Sequence, residues 1–301
     1  MTLILCLGNR EQFIQLSDRR LTVNGALVDD ENNKAGVLHC TNARFAFGFT
    51  GLAAIGNSFK TDQWLLDKIH ESCKDVNTAD KILQRLKTSI NNEFKSNPLI
   101  SSIPLGQKAL SIVFTGYLFD FNPPLAVCAI ISNYYKKPKV QNEFNFTIMN
   151  SKEVPLEENF AFMINLGYTR GLVKSDFDDL QGMLMSHKPS KAIIDKAVFL
   201  INQVADRPQS QGFIGKQISS IVIPRDILKT ANAGYHSNVL STSMYLPNVV
   251  FAPQDGGASA IRGFSMKAVD TNAPPMVYPK WPKNKLCPCG SGKKYKYCHG
   301  K

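Results

Sequence analysis

The chain has no apolar run near the roughly 18 residues that a membrane-crossing helix requires. A helical membrane span is therefore excluded, and no membrane partner is expected. A basic leader is also missing. Residues Met1 to Leu7 are apolar, but Asn9-Arg10-Glu11 cuts the run short, which does not read as a secretory signal. A cytoplasmic location follows as an expectation. Residues 271–301 contain no Asp or Glu but seven Lys. The net charge of +11 is thus lopsided, and residues 1–270 carry only +4. Such a tail can meet RNA, a ribosome or an acidic protein, or can simply solvate the chain end. No internal repeat is visible.

What is present is ordinary for a folded domain. Apolar residues make up 44% and charged residues 20% of the 301 positions. That length permits one large domain, or one domain with an appendage. Of seven cysteines, Cys6, Cys40, Cys73 and Cys128 are scattered through apolar or helical surroundings and read as reduced, small core hydrophobes. The other three crowd the end of the chain.

The spacing of apolar residues predicts strands at 2–7 and 12–16, with turn residues Gly8-Asn9-Arg10 between them. Another is expected from Arg44 to Phe49, ending at Gly51. Helical spacing follows over 58–73, and again to about Phe94 in a second helix that Asn77-Thr78 is expected to cap, where Ile82, Leu83, Leu86 and Ile90 share a face. Strands are expected at 109–119, 125–132, 144–149, 160–166 and 217–223, and a helix at 189–205. Strands grouped apart from helices favour two sheets with helices outside, an α+β sandwich. Beyond Pro224 the pattern weakens, and residues 225–250 are expected to add a helical turn and one or two strands. Residues 252–285 are rich in Pro, Gly, Ala and Ser and read as a linker or extended arm. The expected division is a domain at 1–225, an extension and linker at 226–285, and a small motif at 286–301.

That motif holds Cys287, Cys289, Cys298 and His299. Three thiolates and one imidazole make a complete tetrahedral set for Zn²⁺, with no open position for catalysis, so the expected metal is structural. Gly290 and Gly292 permit the tight turn that lets the first two cysteines face one ion. So short a segment has no core, and metal binding must supply its folding free energy. The run through Gly-Ser-Gly-Lys-Lys-Tyr-Lys resembles the SEC-C motif known from the end of the SecA translocation ATPase. The resemblance implies zinc binding and docking onto a protein or ribosome partner.

The beginning of the chain suggests catalysis. A hydroxyl nucleophile needs a base, and a nucleophile placed at residue one can use its own α-amine, whose reference pKa of about 7.7–8.0 leaves a useful neutral fraction. Thr2 becomes residue one if the initiator Met is removed. Asp18 follows in Leu-Ser-Asp-Arg-Arg-Leu-Thr, then Lys34 in Glu-Asn-Asn-Lys, then Gly51 before a helix. This order resembles proteasome β-subunits and the bacterial HslV peptidase, which share an N-terminal Thr, an Asp, a Lys and a Gly before the first long helix. The resemblance implies a four-layer αββα sandwich of the N-terminal-nucleophile (Ntn) hydrolase class. It implies that Thr2 is the nucleophile, that Lys34 held by Asp18 stabilises its ionised form, and that the Gly51 N–H binds the oxyanion. It further implies that Arg20 and Thr22 match the Asp motif, Thr22 pairing with bound peptide, and that Phe49 and Ala53 line a pocket. Gly167-Tyr168-Thr169 falls at a family turn, and Asp206 and Ser210 at positions that support the active Thr. Three functions follow: a threonine peptidase acting on peptides, a hydrolase of small amides, or an inactive proteasome-like scaffold recruiting a partner through zinc. The family also implies a homo-oligomer.

Overall fold

The structure is a computed structural model of the chain. It describes residues 2–23, 26–56, 58–135, 139–150, 161–237, 242–252, 257–267, 284 and 294–297. The chain divides into two compact units, Met1–Lys267 and Ala268–Lys301. In the second, the described residues include a single turn at Tyr295–Tyr297. Cys287, Cys289, Cys298 and His299 lie outside the described residues.

Two sheets dominate the first unit. One has five strands in the order Phe162–Gly167, Leu3–Gly8, Gln12–Asp18, Ile218–Pro224, Asn232–His236, all antiparallel. The other has seven, in the order Lys139–Asn150, Leu125–Tyr135, Leu110–Leu118, Ala43–Gly51, Ala35–His39, Asn248–Phe251, Ser259–Ile261. Its one parallel pairing joins Ala35–His39 to Asn248–Phe251. Five α-helices are described: α1 (Thr61–Ser72), α2 (Ala79–Ser96), α3 (Pro98–Ser102), α4 (Lys174–Met185) and α5 (Ser190–Asp206).

The period-two alternation of the strands decides what each sheet face meets. Leu3, Leu5 and Leu7 are fully buried with Leu180 and Leu184 of α4 and with Ile193, Ala197 and Ile201 of α5. Their alternate neighbours Ile4 and Cys6 pack against Val113 and Cys128 of the other sheet. Phe45, Phe47 and Phe49 cluster with the apolar faces of α1 and α2 and with Ile100 of α3. Between the sheets, Phe13 and Ile221 meet Val37, Ala46 and Tyr117. Each fully buried side chain of this size contributes about 1.5–3 kcal/mol, so these clusters hold the two sheets and the helices on them as one body.

Three elements depart from expectation. The helix α4 escaped because its apolar stripe is thin, only Leu180 and Leu184 being buried. The N-terminus of α2 is not capped by the side chain of Thr78. Instead the Asn42 Oδ1 accepts from the Ala79 N–H at 2.9 Å, so the cap comes from a distant loop. Regular strands also continue to Lys267 within the first unit, past the expected boundary at residue 225. Asn232–His236 extends one sheet, while Asn248–Phe251 and Ser259–Ile261 extend the other.

Candidate active site

Thr2 lies at the start of the first strand and is 3% exposed. Its carbonyl oxygen accepts from the Tyr168 N–H at 2.9 Å and from the Thr50 hydroxyl at 3.1 Å. This crossing is so close that Gly167, at φ +88°, has no room for a side chain. A Cβ there would stand 1.7 Å from the same oxygen. Glycine at 167 is therefore required by the path of the chain.

The Lys34 Nζ donates to the Thr2 hydroxyl oxygen at 2.5 Å and also to the Arg20 carbonyl. Lys34 is 1% exposed and enters from just before the strand Ala35–His39. Asp18, 0% exposed, closes the second strand. Its carboxylate accepts three backbone N–H groups, from Leu3 at 2.6 Å and from Arg20 and Gly215 at 3.1 Å each. Asp18 reaches the start of the first strand because the first two strands are paired neighbours, whereas Lys34 comes to Thr2 from the other sheet, just ahead of Ala35–His39. Burial raises the Asp18 carboxyl above its ordinary range, against Lys34 and the three N–H donors, which lower it. Burial likewise lowers the Lys34 ammonium, opposed by Asp18, Asp29 and Asp30 and reinforced by Arg19.

The other expected residues are distributed less simply. The Arg20 guanidinium pairs with Asp30 at 2.6 Å and donates to the Gly212 carbonyl at 2.9 Å, stapling the 212–215 turn to the site. Thr22 sits in a short hairpin strand, Leu21–Val23, half-buried. Gly51 ends its strand at φ +108°, and a Cβ there would lie 2.1 Å from the Ala109 carbonyl oxygen. Its neighbour Thr50 is the residue that touches Thr2. Ala53 is half-buried, its carbonyl accepting from the Thr61 N–H at 2.9 Å. Phe49 is 2% exposed and packs into the cluster under α1 and α2, a core position where pocket lining was expected. Asp206 is exposed and paired with Lys216 at 2.6 Å. The Ser210 hydroxyl donates to the Ala205 carbonyl at 2.8 Å, closing the end of α5. These two side chains are engaged away from Thr2. Thr50, Tyr168 and Gly215 complete the constellation and were not read from sequence as part of it. Only Gly167-Tyr168, marked as a turn, carried a signal.

Comparison with known proteins bears on the two ends of the chain separately. The model of the SEC-C motif matches residues 284–301. The chain is 39% identical over 70 residues to protein translocase subunit SecA of Acidiphilium cryptum, covering 20% of this chain and 8% of that protein. It is 69% identical over 26 residues to SecA of Rickettsia typhi, covering 9% of this chain and 3% of that protein. The chain thus spans only a small fraction of the SecA proteins it matches. Among solved structures, the Gly-1 mutant of Anbu from Hyphomicrobium sp. strain MC1 superposes with a TM-score of 0.52 at 12% identity, covering 79% of this chain and 88% of that one. The helical assembly of the Anbu complex from Pseudomonas aeruginosa gives a TM-score of 0.51 at 13% identity, covering 79% and 87%. At such identity the likeness is one of fold, and that fold is proteasome-like. Among the described residues, no helix is long and apolar enough to cross a membrane.

Proposed function

We propose that this chain is an amide hydrolase built on a four-layer αββα Ntn sandwich, with Thr2 as nucleophile once processing has exposed its α-amine. The observation that carries the reading is the buried contact of Lys34 Nζ with the Thr2 hydroxyl at 2.5 Å. A donor at that distance stabilises the ionised oxygen, and little else accounts for burying a lysine there. In the proposed reaction the Thr2 Oγ1 attacks an amide carbonyl while the α-amine takes the hydroxyl proton. The tetrahedral oxyanion rests on the Gly51 N–H. The amine then returns its proton to the leaving nitrogen, and water releases the acyl group from Thr2. Asp18 holds the strand start through Leu3 and keeps Lys34 in place. The hairpin carrying Thr22 offers an edge for an extended peptide, and Ala53 borders the pocket. A peptide is the favoured substrate over a small amide because that edge would be idle with the latter.

The tail fits a structural zinc site by the chemistry of its donors, three thiolates and an imidazole from Cys287, Cys289, Cys298 and His299. Bound zinc would supply the folding free energy that so short a segment lacks. We read it as a docking element for a protein or ribosome partner, and the first unit as a self-assembling body, a homo-oligomer. Cys298→Ser should remove most of the zinc measured per purified chain and leave the melting of the first unit unchanged. Full zinc content in that variant would refute the ligand set.

The second reading, an inactive scaffold, is favoured by the 3% exposure of Thr2, by the pairing of the exposed Asp206 with Lys216 and by the bond of Ser210 to the Ala205 carbonyl. The deciding experiment treats the cellular protein with a peptide β-lactone and locates the acyl group by mass spectrometry. Acylation at Thr2, abolished in Thr2→Ala, is expected. A blocked N-terminus with no acylation would establish the scaffold.

A further inference from the structure

Arg19 follows Asp18 and is 2% exposed. A buried guanidinium is costly unless it is paired with an anion, and here the pairing is of another kind. The Nη2 donates to the Glu31 carbonyl, while Nε and Nη1 find no hydrogen-bond partner among the described residues. The charge is held by two aromatic faces. The Arg19 Cζ lies 4.9 Å from the centre of the Tyr235 ring and 5.4 Å from that of Tyr245. Both rings belong to the strands beyond Pro224, and their centres are 6.1 Å apart.

The same strands reach the backbone at Lys34. The Tyr245 hydroxyl donates to the Asn33 Oδ1 at 3.0 Å, and the Asn248 Nδ2 donates to the Asn33 carbonyl at 3.3 Å. Asn248 is fixed in turn by the Gly263 N–H at 2.8 Å and opens the strand that runs parallel beside Ala35–His39. The Asn32 N–H donates to the Arg19 carbonyl at 3.1 Å. Residues 32 and 33, immediately before Lys34, are therefore held from both sides.

We infer that Arg19, held against the rings of Tyr235 and Tyr245, is a positioning residue for the Thr2–Lys34 pair, fixing a positive charge at the segment that leads into Lys34 and joining the strands of residues 232–267 to that segment. Its catalytic meaning rests on the hydrolase reading, while its effect on Lys34 does not. The charged groups that act on Lys34 are Asp18 from the second strand, Asp29 and Asp30 from the approach to Lys34, and Arg19. Burial disfavours the ammonium most, the three carboxylates favour it, and Arg19 adds to the effect of burial. Removing Arg19 thus moves the Lys34 titration to higher pH. The pH window of acylation should move up with it.

The test uses the full-length chain labelled with ¹³Cε-lysine, with the Lys34 resonance identified by its loss in Lys34→Arg. Wild type, Arg19→Met and Arg19→Lys are titrated, and the pH dependence of Thr2 acylation by a peptide β-lactone is followed in parallel. In Arg19→Met the Lys34 midpoint should rise, and the acylation profile should move up with it. Arg19→Lys should restore both, an outcome that packing loss alone would not give. Arg19→Gln replaces Arg19→Met if the latter does not fold. An unchanged Lys34 midpoint in a folded, uncharged variant overturns the inference. Absence of acylation in the wild type would instead sink the hydrolase reading, and the titration alone would then decide the role of Arg19.

Discussion

Two Lys–Asp pairs in this molecule use the same chemistry to opposite ends. Asp206 and Lys216 meet at 2.6 Å on the surface, with side chains 65% and 42% exposed. Asp18 and Lys34 lie within the first unit at 0% and 1% exposure and spend their hydrogen bonds on other groups. Asp18 serves backbone N–H donors, and Lys34 serves the Thr2 hydroxyl and the Arg20 carbonyl. Water screens the first pair, and such pairs contribute under about 1 kcal/mol. Burial pushes both members of the second toward their neutral forms, the carboxyl up and the ammonium down. That costs stability. A fold retains such a cost where a site is poised to do chemistry, which is why the buried pair, and not the exposed one in direct contact, marks the candidate site.

The comparison breaks most sharply at Lys34. In Lys34→Met the stem is replaced by an apolar chain of similar length, while Asp18 remains buried without its cation. Acylation of Thr2 should fall by about three orders of magnitude or more. Stability measured in urea should drop by about 3 kcal/mol, the range for breaking a buried pair from one side. A variant that kept wild-type acylation would show that Lys34 is only a structural cation and would leave the hydrolase reading without its main support.

How much of this was legible depended on how local each signal is. Thr2, Asp18 and Lys34 could be read because each stands at or beside the end of a strand near the start of the chain, where order and spacing carry the geometry. The five-stranded sheet then brings the first two together through a two-strand hairpin, Leu3–Gly8 with Gln12–Asp18. Thr50, Tyr168 and Gly215 reach the same point from far along the chain, and a threonine beside a glycine has no signature of such a contact. Asn42 capping α2 is hidden for the same reason. Phe49 lies in the core because alternation along Ala43–Gly51 puts it on the face with Phe45 and Phe47, and the helices cover that face. The strands after residue 225 are short, of three to five residues each. They gain their place by pairing with edges already formed, so composition alone read the later part as a linker. Two of their tyrosines nevertheless hold Arg19.

The smallest expected effect is also the one that tests the surface half of the comparison. The resemblance to proteasome subunits implies that Asp206 supports the nucleophile, whereas its carboxylate here is turned to Lys216 at the end of α5. If that contact describes its role, Asp206→Asn removes one screened ion pair. Unfolding in urea should then change by less than about 1 kcal/mol, the acylation rate of Thr2 should stay within about twofold, and added salt should erase the remaining difference. A support residue would behave differently, since losing it would misplace the hydroxyl. The rate would then fall by about tenfold or more with stability almost unchanged, and salt would not restore it. That pattern would mean that the carboxylate leaves Lys216 and turns inward when the Thr2 amine is free, so the surface pair would be a resting contact of the site and the two pairs one connected system.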